Sequence, residues 1–250
     1  MTTPAPSRST STTRRPQWIR TCGWLLTRTL YLMLWGWAIA IVLVTVTLAI
    51  VSRYVGIEMS GFAFSHQGML WYPFALAIIF TTMYLPSHVT NGMTRRSFIQ
   101  ATIVVNIVVG TANAAFSMVA LLVERAIYHQ LGWFQGHTDG KGADLLASGA
   151  ATYGLGLVLL FVGGMISGAL VGITYHRFGV PATFLLPLTL APIIGTSLLG
   201  LNASTQWTPW DFAFLGEWQG SALLGVLILA AGCAFFALVA RRIPIDTRKA

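Results

Sequence analysis

Pro86-Ser-His-Val-Thr-Asn-Gly-Met-Thr-Arg-Arg-Ser97 is a short polar break between two apolar runs, each long enough to cross a bilayer. It holds the only adjacent arginine pair between the two terminal segments, a turn signal at Asn91-Gly92 and a helix-start signal at Thr94. The fold class depends on whether this is a loop between membrane spans or a surface turn of a soluble domain. Composition decides for the membrane: 55% of the 250 residues are apolar and 9% are charged, where a soluble domain carries about a quarter charged residues.

Working outward from this break, six runs reach the length that a transmembrane helix needs: 30–51, 69–85, 98–123, 148–175, 180–201 and 220–240. They are continuous and lack the alternation of a barrel wall, so the chain reads as an all-α polytopic membrane protein. The second run is short, with Pro73 near its start, and the fourth is long enough to tilt or project beyond the lipid. Residues 1–16, rich in Ser, Thr, Pro and Arg, are expected to form a disordered basic tail ahead of a single transmembrane domain over 17–250. In 17–28, Trp18, Cys22, Leu25 and Leu26 share one helical face, which suggests an amphipathic interfacial helix; the alternative is a plain extension of the first span. No cleavable signal peptide is evident, and the first apolar run is expected to remain as an anchor.

The charges sort by connecting segment. Arg8, Arg14, Arg15, Arg20, Arg28, Arg95, Arg96, Arg177, Arg241, Arg242, Arg248 and Lys249 fall on one side, and Arg53, Arg125 and Lys141 on the other. By the positive-inside rule the first side is cytoplasmic, with both termini there. The acids Glu58, Glu124, Asp139, Asp144, Asp211 and Glu217 fall outside, and Asp246 inside. This arrangement accounts for the net charge of +8 as basic fringes facing anionic lipid, without nucleic acid. Aromatic residues are expected at the boundaries: Trp71, Tyr72, Trp133, Phe134, Trp207, Trp210 and Trp218 outside, Tyr84 and Tyr175 inside.

Chemistry-bearing motifs are sparse. No span carries Asp, Glu, Lys, Arg or His near its centre, which argues against an ion-coupled transporter. His66, His88, His129, His137 and His176 fall in loops or at helix ends without metal-ligand spacing, so neither a metal nor another cofactor is expected. Cys22 and Cys233, both placed toward the cytoplasm, read as packing residues. Ser167 lacks the setting of an activated nucleophile, and the sequence contains no phosphate loop. The chain is therefore not expected to be an enzyme, and any ATP that drives it must bind another subunit.

Two stripes within the spans carry information. Gly164, Gly168 and Gly172 recur every fourth residue and form a small-residue packing face, either within the chain or between copies. Asn106, Gly110, Asn113 and Ser117 form a polar stripe that either bridges helices or lines a polar pathway. In the fifth run, Pro181 suits a first turn, whereas Pro187 and Pro192 should bend the helix, as a fixed bend or for gating. The Trp-rich stretch 202–219 is expected to dip back into the outer interface as a short helical lid.

The run from Leu85-Pro86 through Gly92-Met-Thr-Arg-Arg-Ser-Phe98, the Glu124-Arg125 pair and Tyr175-His-Arg-Phe-Gly179 resemble the membrane subunits of six-helix, type-two exporters of the ATP-binding-cassette class, particularly small actinobacterial and Firmicute permeases. The segment before span one and the aromatic loop before span six are similar to that family's interface and re-entrant helices. The resemblance implies a plasma-membrane permease that forms a homodimer, or a heterodimer with a related permease. It would be docked on two cytoplasmic ATPase subunits and would expel an apolar or amphiphilic substrate. It further implies that Ser87, His88, Val89, Thr90, Asn91, Gly92, Met93, Arg95 and Arg96 form the ATPase-coupling loop. Ser87 would cap a short helix through Asn91, ended by Gly92, and Thr94 would cap span three. Arg95 and Arg96 would contact acidic groups on the ATPase or act as topology determinants. The competing reading is a non-transporting polytopic scaffold or membrane-stress protein.

Overall fold

The computed structural model describes residues 16–136, 144–147, 149–199 and 218–241. The expected tail (Pro16 aside) and nearly all of the expected lid, including Trp207 and Trp210, lie outside the described residues. Trp218 and Gln219 open the last helix instead. Among the described residues the protein is all-α, with six helical stretches long and apolar enough to cross a membrane. These are α1 (Gln17–Val51), α2 (Gly61–Thr90), α3 (Arg95–Leu131), α4 (Ala150–Phe178), a broken stretch, and α7 (Trp218–Arg241). The broken stretch consists of a 3₁₀ helix (Val180–Leu185), α5 (Leu186–Thr189) and α6 (Ala191–Leu198).

α4 is the axis of the bundle. Its middle is almost wholly buried, and α2, α3, α6 and α7 all pack on it. The reason is compositional, since its glycines let neighbouring backbones approach more closely than any side chain permits. A Cβ at Gly168 would clash with the Phe74 carbonyl oxygen, and one at Gly172 would lie 2.9 Å from that of Ile78. The Gly164, Gly168 and Gly172 stripe therefore seats α2 inside this chain. On the α3 side, Gly110 allows the same closeness, because its Cβ would stand 2.8 Å from the Val162 backbone. α1 is peripheral, with one face on α2 and α3 and a long exposed apolar face that includes Leu34, Trp35, Val42 and Leu43.

Several boundaries differ from the sequence-based expectation. Residues 17–28 are not a separate interfacial helix: they run without a break into the first span, with Thr21, Leu25 and Thr29 buried on one continuous face. α2 begins at Gly61, not near Met69, so Pro73 lies well inside it and is buried. Trp71 and Tyr72, expected at the interface, accordingly sit about 15 Å along α2 at the usual rise per residue. There Tyr72 donates its hydroxyl to the Leu32 carbonyl of α1 at 2.9 Å.

In the fifth stretch the prolines break the helix and do not merely bend it. Pro181, Pro187 and Pro192 each fall in the first turn of a new segment, where a missing N–H costs nothing. The Ile193 amide, in the first turn of α6, donates to Ser167 Oγ of α4 at 3.0 Å. Ser167 thus supplies the acceptor that a helix start in lipid cannot find in water.

Candidate functional site

Three places combine polar groups with geometry: the α2–α3 turn, a joint at Asn113 and a buried carboxylate at Glu124. All three act on α2.

The α2–α3 turn spans Asn91 to Thr94 and is internally braced. Ser87 does not start a short helix as expected. α2 continues through Pro86 to Thr90, and the Ser87 hydroxyl turns back to the Met83 carbonyl at 3.2 Å. The cap is instead at the end of the helix, where the Ser87 carbonyl accepts from Asn91 Nδ2 at 2.7 Å and from Thr90 Oγ1 at 3.0 Å. Gly92 follows at φ +74°, a left-handed conformation that a residue with a Cβ rarely adopts. Thr94 caps α3 as expected, its hydroxyl accepting from the Ser97 amide at 3.2 Å.

The side chains of the nine coupling candidates divide. His88 is buried, stands 3.0 Å from Ser97 Oγ and packs beside the Phe98 ring, so it joins the two helices and does not face a partner. Val89 and Met93 are half-buried, while Ser87, Thr90, Asn91, Gly92 and Arg96 are exposed. Arg95 turns away from the turn and donates to the Arg241 carbonyl of α7 at 3.5 Å.

The polar stripe on α3 is buried throughout, and its members do different things. Asn113 bridges helices: its Oδ1 accepts from Trp37 Nε1 of α1 at 2.7 Å, and its Nδ2 donates to the Met69 carbonyl of α2 at 3.3 Å. Met69 is four residues before Pro73, so its carbonyl is the one left without a helical partner by the missing proline N–H. Asn113 repairs that gap, which is how a proline is accommodated inside a spanning helix. Asn106 faces a small void of ≈ 20 Å³ that Thr29, Thr81 and Thr102 also line. Ser117 is buried further along the same helix.

Glu124 is the main feature that the sequence reading missed, having assigned it to an external segment. α3 extends to Leu131, so Glu124 is helical and 3% exposed. Its carboxylate receives the Ser60 hydroxyl, the Gly61 amide at 2.8 Å, the Phe62 amide at 3.2 Å and Gln135 Nε2 at 2.9 Å. Gly61 and Phe62 open α2, so a full negative charge sits against the positive end of that helix. Ser60 is the N-cap, accepting from the Ala63 amide at 3.0 Å while donating to Glu124. Gln135 Nε2 also donates to the Leu121 carbonyl at 3.0 Å, which fixes the amide orientation. Backbone bonds from Ser60 to Gly136 at 3.1 Å and from Phe134 to Ile57 at 3.2 Å close the two loops over this cap. Nearby, Arg125 makes a two-pronged, exposed ion pair with Asp144 at 2.7 and 3.1 Å.

Between α1 and α2, in the half of the bundle nearest Glu124, lies an open groove of ≈ 1050 Å³. Its walls are apolar, with Leu43, Val44, Phe64 and Met69 among them, and Glu58, Ser60 and Ser65 add polar groups at the loop end. His66 lies on the other side of α2, buried and stacked on Phe161 of α4. Among the described residues no cluster of His, Cys, Asp or Glu is arranged to hold a metal ion. Comparison of the chain with family models, with curated proteins and with solved structures gave no match.

Proposed function

We propose that this chain is the membrane-spanning subunit of an ATP-binding-cassette exporter, with both termini cytoplasmic in the plasma membrane, paired with a second permease copy. The observation that supports this reading best is the double position of α2. One end of this helix is the exposed turn at Thr90, Asn91 and Gly92; the other half is a wall of the apolar groove. A push on the turn therefore acts on the same helix that walls a surface suited to an apolar or amphiphilic substrate.

Energy enters from a partner in this proposal, because the sequence contains no phosphate loop. The turn lies at the basic end, which the positive-inside rule assigns to the cytoplasm, where an ATPase would meet it. Of the coupling candidates, the exposed Ser87, Thr90, Asn91, Gly92 and Arg96 are the ones that face outward to a partner, with His88 bracing them from below. Any seam with a second permease lies on a face other than Gly164, Gly168 and Gly172, which α2 occupies.

The test is co-expression with any ATP-binding-cassette ATPase encoded beside this gene, followed by deletion of residues 89–93. Coupling through the turn requires that the deletion abolish substrate-stimulated ATP hydrolysis or release the ATPase. If the deleted protein keeps both the complex and the stimulated activity, the turn is not the coupling element. Absence of any ATPase complex with the intact chain would favour a non-transporting membrane scaffold.

A further inference from the structure

Four polar side chains from three helices line one small cavity in the half of the bundle nearest the α2–α3 turn. Thr102 and Asn106 stand one turn apart on α3, Thr29 comes from α1 and Thr81 from α2, and all four are buried. Asn106 lies about 16 Å along α3 from its start at Arg95, roughly halfway through an apolar layer of about 30 Å.

The hydrogen bonding of these groups is incomplete. The Thr102 hydroxyl is buried without a partner, and the Asn106 amide makes no side-chain hydrogen bond among the described residues, although it has two donors and an acceptor oxygen. Thr29 donates its proton to the Leu25 carbonyl at 2.8 Å, which leaves its oxygen free to accept. At this depth no bulk water makes up the deficit, and an unpaired amide or hydroxyl in hydrocarbon is strongly disfavoured.

Size and chemistry together select the occupant. A cavity of ≈ 20 Å³ exceeds the roughly 10–15 Å³ that one water needs and is too small for an acyl chain. Cavities with purely apolar walls stay dry, whereas an amide and three hydroxyls line this one. No carboxylate is among its lining residues, so a cation would meet only neutral oxygens.

We propose that this cavity binds an ordered water molecule that links Asn106 and Thr102 of α3 to Thr29 of α1 and Thr81 of α2. Water both donates and accepts, so one molecule serves the donors of Asn106 and Thr102 and the oxygens of Thr29 and Thr81 together. The contact of α1 with α2 and α3 is then water-mediated here and direct farther along α3, where Asn113 accepts from Trp37. The assignment does not depend on the transport reading.

X-ray radiolytic labelling of the full chain tests it, because hydroxyl radicals formed from a bound water oxidise the side chain beside it. Met165 of α4 lines the cavity at 1% exposure and reports as its sulfoxide. Met33 is buried in the same packing cluster but does not line the cavity, so it is the internal control. Met165 is expected to be labelled faster than Met33 in the unaltered protein and in Thr102→Ser. In Thr102→Val/Asn106→Leu its labelling should fall to the Met33 level, while Met93 in the turn is labelled as before. Equal labelling of Met165 and Met33 in the unaltered protein would overturn the water site, and that comparison stands even if the double variant does not fold. Undiminished Met165 labelling in a folded double variant would overturn it too, since the radicals would then come from bulk solvent. Labelling that rises when sodium is replaced by choline would give the cavity to a cation instead.

Discussion

At the basic end, His88, Ser97 and Thr94 join α2 to α3 through groups that lie within ten residues of one another; at the other end, Glu124 joins the same two helices to Ser60 across 64 residues of sequence. The first tie is a buried contact between an imidazole and a hydroxyl, beside a helix cap made by Thr94. The second is a buried carboxylate that receives four donors and faces the positive end of α2. A neutral, local tie re-forms readily once opened, because its partners never travel far. A buried charge set against a helix end has no comparable alternative, so opening it leaves both the carboxylate and the first amides of α2 unpaired. The comparison makes Glu124 the fixed end of α2 and the Asn91–Thr94 turn the end that can move.

The largest effect should come from breaking the fixed end. Glu124→Leu strands the Ser60, Gly61, Phe62 and Gln135 donors and is expected to cost about 4 kcal/mol in thermal unfolding, with Glu124→Gln recovering less than half. If Glu124→Leu is neutral, the asymmetry between the ends disappears. Asn113→Leu, midway between them, orphans Trp37 Nε1 and the Met69 carbonyl and should cost about 1.5 kcal/mol. A transport defect in that variant larger than its stability loss would restore a pathway role to Asn113.

At the movable end, His88→Ala is expected to cost about 1 kcal/mol and to raise hydrogen exchange in the turn while leaving the Glu124 loops protected. Exchange spreading to both ends would show that α2 opens as one unit. The smallest change, about 0.5 kcal/mol or less, is expected for Arg125→Gln, because its ion pair with Asp144 is exposed on both sides. A larger loss would mean that the fixed end is held by surface charge as much as by Glu124.

Spans were readable in the sequence wherever an apolar run is continuous, and Thr94 and Gly92 announced the turn through their own chemistry. α2 was read too short because Ser65, His66 and Gln67 interrupt its apolar run, although His66 is in fact buried against Phe161. The Glu124 cap could not be read from spacing, since it depends on two helix ends brought together by packing. One signal was available: a glutamate seven residues before the end of α3 is hard to accommodate in lipid without donors. The polar stripe was correctly placed on one face, but whether Asn113 bridges or lines a path depended on the proline of a different helix. In the fifth stretch, three prolines spaced five or six residues apart mark three helix starts, a pattern that a single-span window averages away.

The Ser167 contact has a consequence for how the chain is made. A ribosome delivers α4 before α6, and the first turn of α6 contains an amide whose partner is the α4 hydroxyl. Until α4 is seated, the 180–198 stretch has no way to satisfy its interrupted backbone in hydrocarbon, so it should linger at the insertion machinery and not partition as an independent span. On this reading membrane integration is ordered in time, with the fifth stretch seated only after α4 is in place.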